Sequence, residues 1–439
     1  MTATTGTPRR RGLDLRLRST APGLVQLPWL EPLGEWDPTE VPFRDIPVGA
    51  HRHLVRFVHM DGRLWALKEE PEEVARIEYD ALVEMERREL PAVRTGGLVI
   101  PPEGGNAVLI TSYLAGSWQY RRLLMRIPIE QRKHRQRLLD AMATLLVDLH
   151  RNGVYWGDCS LGNTLFKRDG QTLQAYLVDA ETSKVYPTLS NGQREMDLQV
   201  LVENVAGGLA DLAVRFSQPE EVMYGLFEEA QGVDARYRMV WAALHPDTRV
   251  RFEDRHAVTA HIKEINELGF AVDEVQLVPT AGGDELQLKV ALAGRHFHVD
   301  QLRELTGLEA GEGQAQLLLN DVRAYQAHLG DTGEVMPEKV AARRWLLDCF
   351  DPGIARIEAA VGSVTSPVQA YCDLLEVRWL LSEQAGYDVG DSPALEALAR
   401  GTTPAESAAQ MAMVEAPTQE FRMDPEILAG FAEEDDDQF

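Results

Sequence analysis

Cysteine is scarce in this chain of 439 residues, with only Cys159, Cys349 and Cys372. They lie far apart and form no C-x-x-C pair. That argues against a disulfide framework and a cysteine zinc site, and a reducing, cytoplasmic setting is the expectation. Long apolar runs are missing too. No uncharged apolar stretch reaches 18 residues, so no membrane-spanning segment is expected. The N-terminus has no apolar core of a secretory signal. Basic charge is short: 44 Lys and Arg against 69 Asp and Glu leave a net charge of −25. A general nucleic-acid binder would need a basic face, so that class is disfavoured. No internal repeat is visible.

What remains is an ordinary globular composition, 44% apolar and 26% charged, long enough for two domains with cores of their own. Residues 1–38 read as an extension, basic at Arg9–Arg11 and broken by Pro28, Pro32 and Pro38. A partly ordered arm is expected there, or an arm contacting an acidic surface. From about 39 the chain becomes strand-rich. His53 to Val58 alternates, Asp61-Gly62 makes a hairpin turn, and Leu64 to Lys68 runs back. Pro71 opens a helix to about Leu90. Strands are predicted at 98–100 and 107–113, and a helix near 132–150 ends at Asn152-Gly153. Beyond about 235 helices dominate, apart from a strand pair near 270–278 and 285–292. The helix around 366–384 carries Val368, Tyr371, Leu374, Leu375, Trp379 and Leu381 on several sides and reads as a core element. The chain ends in Glu433 to Asp437, an acidic tail expected to be disordered.

The chemistry concentrates in Asn152-Gly-Val-Tyr-Trp-Gly-Asp158-Cys-Ser-Leu-Gly-Asn163. An Asp in a turn, an Asn five positions on and an apolar run after it form the pattern of a phosphotransferase catalytic loop. The Asp handles the acceptor hydroxyl there, and the Asn holds a metal. Upstream, Lys68 lies on an alternating strand with Leu64 and Ala66 on its face. Glu78 falls inside the apolar stripe of Val74, Ile77, Ala81, Leu82 and Met85. A carboxylate on a packed face is costly unless paired, and Lys68 is the nearest upstream candidate. Downstream, Asp179 follows the run Ala175 to Val178, well placed to reach a metal. Each acid alone could be a turn cap. The ordered set Lys68, Glu78, Asp158, Asn163, Asp179 is much harder to explain by caps.

The stretch 45–210 resembles the protein-kinase-like superfamily. Trp65-Ala-Leu-Lys68 stands where V-A-I-K would, and Asp179-Ala-Glu181 where D-F-G would. Trp156-Gly-Asp158 is closer to the H-G-D of small-molecule phosphotransferases than to H-R-D. Asp197 resembles the helix aspartate that braces the catalytic loop from behind. Trp156 to Asn163, together with Tyr371-Cys-Asp-Leu-Leu-Glu-Val-Arg-Trp-Leu-Leu-Ser-Glu383, resembles a bacterial family that joins a lipopolysaccharide-kinase-like domain to a C-terminal domain of unknown function, number 4032. The resemblance spans roughly residues 25–395. It implies ATP and Mg²⁺ as cofactors. Lys68 and Glu78 would position phosphates, with Gly49 and Arg52 in the covering loop. Asn163 and Asp179 would hold the metal, Asp158 would be the base, and Asp197 would support the loop.

The departures from the superfamily pattern carry information. The glycine-rich loop is reduced to Gly49, and Glu181 replaces the last glycine of D-F-G, as a metal-facing carboxylate or a structural one. His51 and His53 flank Arg52, either touching phosphate or covering the strand edge. Ser160 takes the place of a lysine, and only 18 positions (197 − 179) separate Asp179 from Asp197. That is short for a peptide-docking platform, so a small-molecule, sugar or lipid hydroxyl is the expected acceptor. Cys159 reads as a packed small residue. Asp373, Glu376 and Glu383 read as a solvated or salt-bridged helix face, a second acidic site being the alternative. The expected fold is α+β: an extension at 1–38, a two-lobed kinase-like domain at 39–232 (lobes 39–114 and 115–232), a mostly helical α+β domain at 233–400, and a tail at 401–439. The C-terminal domain would select substrate or bind a protein partner. Two alternatives stay open: an ATP-binding regulatory or scaffold protein without turnover, and AMP transfer by the same five residues.

Overall fold

In the computed structural model, residues 12–18, 22–46, 52–102, 105–244 and 294–414 are described. Between 249 and 292 so are 249–250, 260, 262–263, 265–266, 268, 270, 272–279 and 286–292. Gly49 and His51 lie outside the described residues, as does the acidic tail from 415 on.

The N-terminal lobe is an antiparallel sheet of six strands in the order β1-β5-β6-β4-β3-β2. These are β1 (Asp14–Leu17), β2 (Phe43–Arg44), β3 (Leu54–Met60), β4 (Arg63–Pro71), β5 (Thr95–Ile100) and β6 (Asn106–Ser112). Asp61 and Gly62 close the β3–β4 hairpin with φ of 54° and 71°, the doubly positive turn that Asp-Gly favours. Helix α1 (Glu72–Arg87) follows β4 directly, with Pro71 as its N-cap residue and Glu72 and Glu73 in its first turn.

The sheet separates two apolar layers. Its outer face, with Val58, Trp65, Leu67, Val99 and Ile110, is covered by Leu24, Leu27, Trp29, Leu33 and Trp36. The described part of the expected extension is therefore not an arm. It supplies the edge strand β1, paired with β5, and a lid of two short 3₁₀ turns at Pro22–Gln26 and Leu33–Glu35. The Gly23 amide is latched to the Asp61 carboxylate at 2.7 Å. The prolines break helical periodicity, but the apolar residues between them still bury against the sheet.

The helical lobe follows: β7 (Ser117–Gln119), α2 (Tyr120–Arg126), α3 (Arg132–Arg151), β8 (Val154–Tyr155), β9 (Thr164–Asp169), β10 (Thr172–Leu177), β11 (Lys184–Val185), α4 (Asn191–Arg215) and α5 (Glu220–Leu244). Helix α3 is its axis. Leu138, Met142, Leu145, Leu146, Val147 and Leu149 are all at most 1% exposed, because α5, α4, β9 and β10 surround it in one core. Helix α5 runs through position 232, where the sequence reading divides the domains. Val233, Tyr237 and Val240 pack in the same core as α3.

Strands β12 (Arg249–Val250), β13 (Val272–Pro279) and β14 (Leu286–Leu292) form a small sheet. The C-terminal helices are α6 (Phe297–Thr306), α7 (Glu312–Asp331), α8 (Glu338–Trp345), α9 (Asp351–Val361), α10 (Pro367–Ala385), α11 (Asp391–Arg400) and α12 (Ala408–Val414). Their core joins Leu302, Leu318, Leu319, Trp345, Tyr371 and Leu374. On α10, Trp379 is 59% exposed, so that helix is buried on fewer sides than its composition implies. Helix α12 lies beyond the expected tail boundary at 401 and is anchored by buried Ala408, Ala409 and Met411. The α+β organisation read from the sequence is present: a sheet-rich N-terminal lobe, a helical lobe and a mostly helical C-terminal region.

Candidate active site

Strand β4 alternates, so Leu64, Ala66, Lys68 and Glu70 share one face while Trp65 and Leu67 point into the outer core. The helix that follows brings Glu78 back over that face. On α1 the buried positions are Ala75, Glu78, Ala81, Leu82 and Met85, whereas Ile77 is 50% exposed. The stripe coincides with the sequence reading at Ala81, Leu82 and Met85 and is shifted by one residue in the first turns, with Glu78 still inside it.

Lys68 Nζ lies 2.8 Å from Glu78 Oε2, 2.9 Å from Glu70 Oε2, 3.2 Å from Asp179 Oδ2 and 3.9 Å from Glu181 Oε2. The other Glu78 oxygen accepts the Ala180 amide at 3.2 Å, so one buried carboxylate ties the lysine to the Asp179-Ala-Glu181 turn. The Glu181 amide in turn donates to Asp179 Oδ1 at 3.1 Å. Burial opposes the charge on Lys68, but Glu78, Asp179 and Glu70 outweigh it and hold its pKa above the ordinary lysine range. Burial, with the charge of Asp179 added, pushes Glu78 up. Burial also pushes Glu70 up. One ammonium cannot neutralise four carboxylates in so small a space.

Glu70 is the residue that sequence reading missed. It is fully buried. Both its oxygens lack a hydrogen-bond donor among the described residues, although one lies within ion-pair distance of Lys68. The available signal was its place two residues after Lys68 on the same strand face.

The loop that carries Asp158 and Asn163 leaves α3 through Asn152 and Gly153. Asn163 Nδ2 donates to Asp158 Oδ2 at 2.9 Å and to the Asp158 carbonyl at 3.3 Å, which fixes the carboxylate across the turn. The Asn163 amide donates to Ser160 Oγ at 3.2 Å. Behind the loop, Asp197 is fully buried. It accepts the Trp156 amide at 2.7 Å and the Gly157 amide at 2.8 Å. His150 Nε2 lies 3.1 Å from the same Asp197 oxygen as Trp156, and its Nδ1 lies 2.8 Å from the Tyr237 hydroxyl. Burial holds the His150 pKa down against the pull of Asp197. A neutral ring then donates from Nε2 to the carboxylate and accepts the tyrosine proton at Nδ1. Cys159 is buried, and burial raises its thiol pKa, in keeping with a packed residue and not a nucleophile.

The structure brings Lys68, Glu78 and Asp179 into one cluster, pairs Asp158 with Asn163, and sets Asp197 behind them. Arg52 stands exposed and makes no ion pair among the described residues. His53 Nε2 comes within 3.9 Å of Glu181 Oε2. Asp373 pairs with Arg168, and Glu376 with Arg137 at 3.2 Å, so two of the three acids on α10 hold it to the helical lobe, and Glu383 is exposed.

The lipopolysaccharide kinase (Kdo/WaaP) family model matches residues 59–218, and a domain of unknown function, DUF4032, matches residues 239–401. The chain joins a lipopolysaccharide-kinase-like domain to a DUF4032 domain. No curated protein matches it. Among solved structures, one titled "WaaP in complex with acyl carrier protein" aligns at 16% identity and a TM-score of 0.30, covering 43% of this chain and 89% of that one. No helix of the described residues is long and apolar enough to cross a membrane.

Proposed function

We propose that this kinase-like domain is an ATP- and Mg²⁺-dependent phosphotransferase acting on a small-molecule, sugar or lipid hydroxyl. One observation carries the reading. Lys68 meets Glu78, 10 residues away, and Asp179, 111 residues away, at hydrogen-bond distance. This is the lysine–glutamate–aspartate arrangement that positions nucleotide phosphates in kinases.

The residues fit a divalent cation. Four carboxylates stand within 4 Å of one ammonium, and the fully buried Glu70 has no cation within ion-pair distance but Lys68 among the described residues. Asn163 and Asp179 would hold Mg²⁺, which supplies charge neutralisation on the transferring phosphates. Lys68, kept protonated by its neighbours, would bind phosphate oxygens. Asp158, oriented by Asn163, would take the proton of the acceptor hydroxyl. The acceptor oxygen then bonds to phosphorus as the bond to the nucleoside diphosphate breaks. From Asp179 to the start of α4 at Asn191 the chain forms only one two-residue strand, β11, paired with β8. That leaves little for docking a peptide. The matched family's name makes a lipopolysaccharide-type hydroxyl the first acceptor to test.

Glu181 favours a second reading, in which the domain binds ATP without turning it over. Its carboxylate reaches toward Lys68 from a position where a glycine is usual. Labelled ATP with a panel of hydroxyl acceptors separates the two, and the product mass tells phosphate from AMP transfer. Asp158→Asn is expected to lower turnover by roughly 10²- to 10⁴-fold while nucleotide affinity persists. An unchanged rate removes Asp158 from the base role. ATP-dependent thermal stabilisation with no product from any acceptor supports the regulatory reading.

A further inference from the structure

A cavity of about 1030 Å³ lies at the seam between the kinase-like lobe and the C-terminal helices. One wall comes from residues 88–94, the end of α3 and strands β9 and β10. The other comes from residues 294–295, 309–314 and 365–368. None of Lys68, Glu78, Asp158, Asn163 or Asp179 lines it. We infer that this seam is a second ligand site, for a phosphorylated small molecule, separate from the nucleotide cleft.

The argument rests on which lining charges are already committed. Three of the carboxylates there are engaged by protein donors. Asp169 accepts the Gly313 and Gln314 amides at 2.8 and 2.9 Å. Glu312 accepts the His298 and Val299 amides, and Glu309 pairs with Arg303. Four cations are left without an ion pair among the described residues: Arg94, Arg151, Lys167 and Arg295. Arg295 donates only to the Leu268 carbonyl and the Gln174 side chain. Arg151 lies over the Phe270 ring. Arg94 and Lys167 are exposed, and their side chains make no hydrogen bond or ion pair among the described residues. Against them stand two lining acids without an ion pair there, Glu89 and Asp148. Burial pushes Asp148 up to about 6, so near neutrality it is still largely ionised and offsets part of the positive charge of Arg295 and Arg151.

In a chain of net charge −25, four cations without an ion pair around one cavity, against two such acids, are a local excess of positive charge. Guanidinium groups match phosphate oxygens in geometry. The volume suits a small metabolite, and Tyr176 is the single aromatic in the lining, so flat apolar ligands find little to stack on. The position links the ligand to the catalytic loop. Arg151 ends α3 just before it, Lys167 sits on β9 just after Asn163, and Gln174 and Tyr176 sit on β10, which leads to Asp179.

The test is isothermal titration of the full chain with inorganic pyrophosphate in EDTA, so that nucleotide chemistry plays no part. The expected result is 1:1 binding that weakens at least tenfold in Arg94→Glu/Lys167→Glu and in Arg295→Gln, with circular dichroism unchanged. Binding is expected to be unaltered in Lys68→Met. No binding at millimolar pyrophosphate, binding that survives the seam variants, or binding lost only in Lys68→Met overturns the inference.

Discussion

At the scale of single residues, buried carboxylates carry most of the information, and each is held differently. Asp197 receives two amides and a histidine ring, Glu78 receives an ammonium and an amide, and Glu70 sits beside an ammonium without a hydrogen bond. Asp148 is the outlier. Burial pushes it up from 3.8 to about 6, with Arg295 and Arg151 pulling back. A folded-state pKa above the unfolded one contributes stability below about pH 4 and loses it as pH rises through about 6. A shift of that size corresponds to about 3 kcal/mol. Asp148→Asn is therefore expected to match the parent melting temperature near pH 4 and to exceed it by a few degrees at pH 8. Scanning calorimetry across that range checks it, and a difference independent of pH contradicts it. Glu78 is legible in the sequence because it breaks an apolar stripe, and Asp158 because Asn163 follows it five positions on. Glu70 is not, because the apolar alternation that marks the strand ends at Lys68, whereas pairing with β6 continues to Pro71.

At the scale of elements, the loop carrying Asp158 and Asn163 depends on two glycines in the left-handed region. Gly153 has φ of 73°, and a Cβ there would lie 2.1 Å from the Tyr186 carbonyl. Gly157 has φ of 85°, and a Cβ would meet Thr182 at 3.0 Å. Gly116 shares the φ of Gly153 but has open space around it, so it separates backbone strain from collision. Gly116→Ala should cost about 1 kcal/mol of unfolding free energy. Gly153→Ala should cost clearly more, because the Tyr186 backbone must move. Urea denaturation of the two variants measures the difference, and equal losses would remove the collision from the account. This loop was readable because its turn, its Asp and its Asn are close in sequence. The lid over the outer sheet face was not. Its apolar residues have no regular period, and the sheet that buries them is formed much later in the chain.

At the scale of the whole molecule, the kinase-like lobe and the C-terminal helices interlock at the β9–β10 turn. Asp169 caps the amides at the start of α7, and the Gln369 side chain accepts the Gly170 amide at 3.0 Å and donates to its carbonyl at 2.9 Å. Glu376 on α10 accepts Ser407 Oγ and the Ala408 amide, which fastens α12 to the same seam. These partners are up to 199 residues apart, too far for any local pattern to reveal. The C-terminal region is thus fixed to the segment that carries Asn163 and Asp179, and what happens at the seam has a short path to the cleft. The most direct test of the central claim is a crystal structure with a non-hydrolysable ATP analogue and Mg²⁺. It is expected to show Lys68 on the phosphates and the metal between Asn163 and Asp179. Phosphates bound elsewhere, or a metal held by neither residue, would contradict the account.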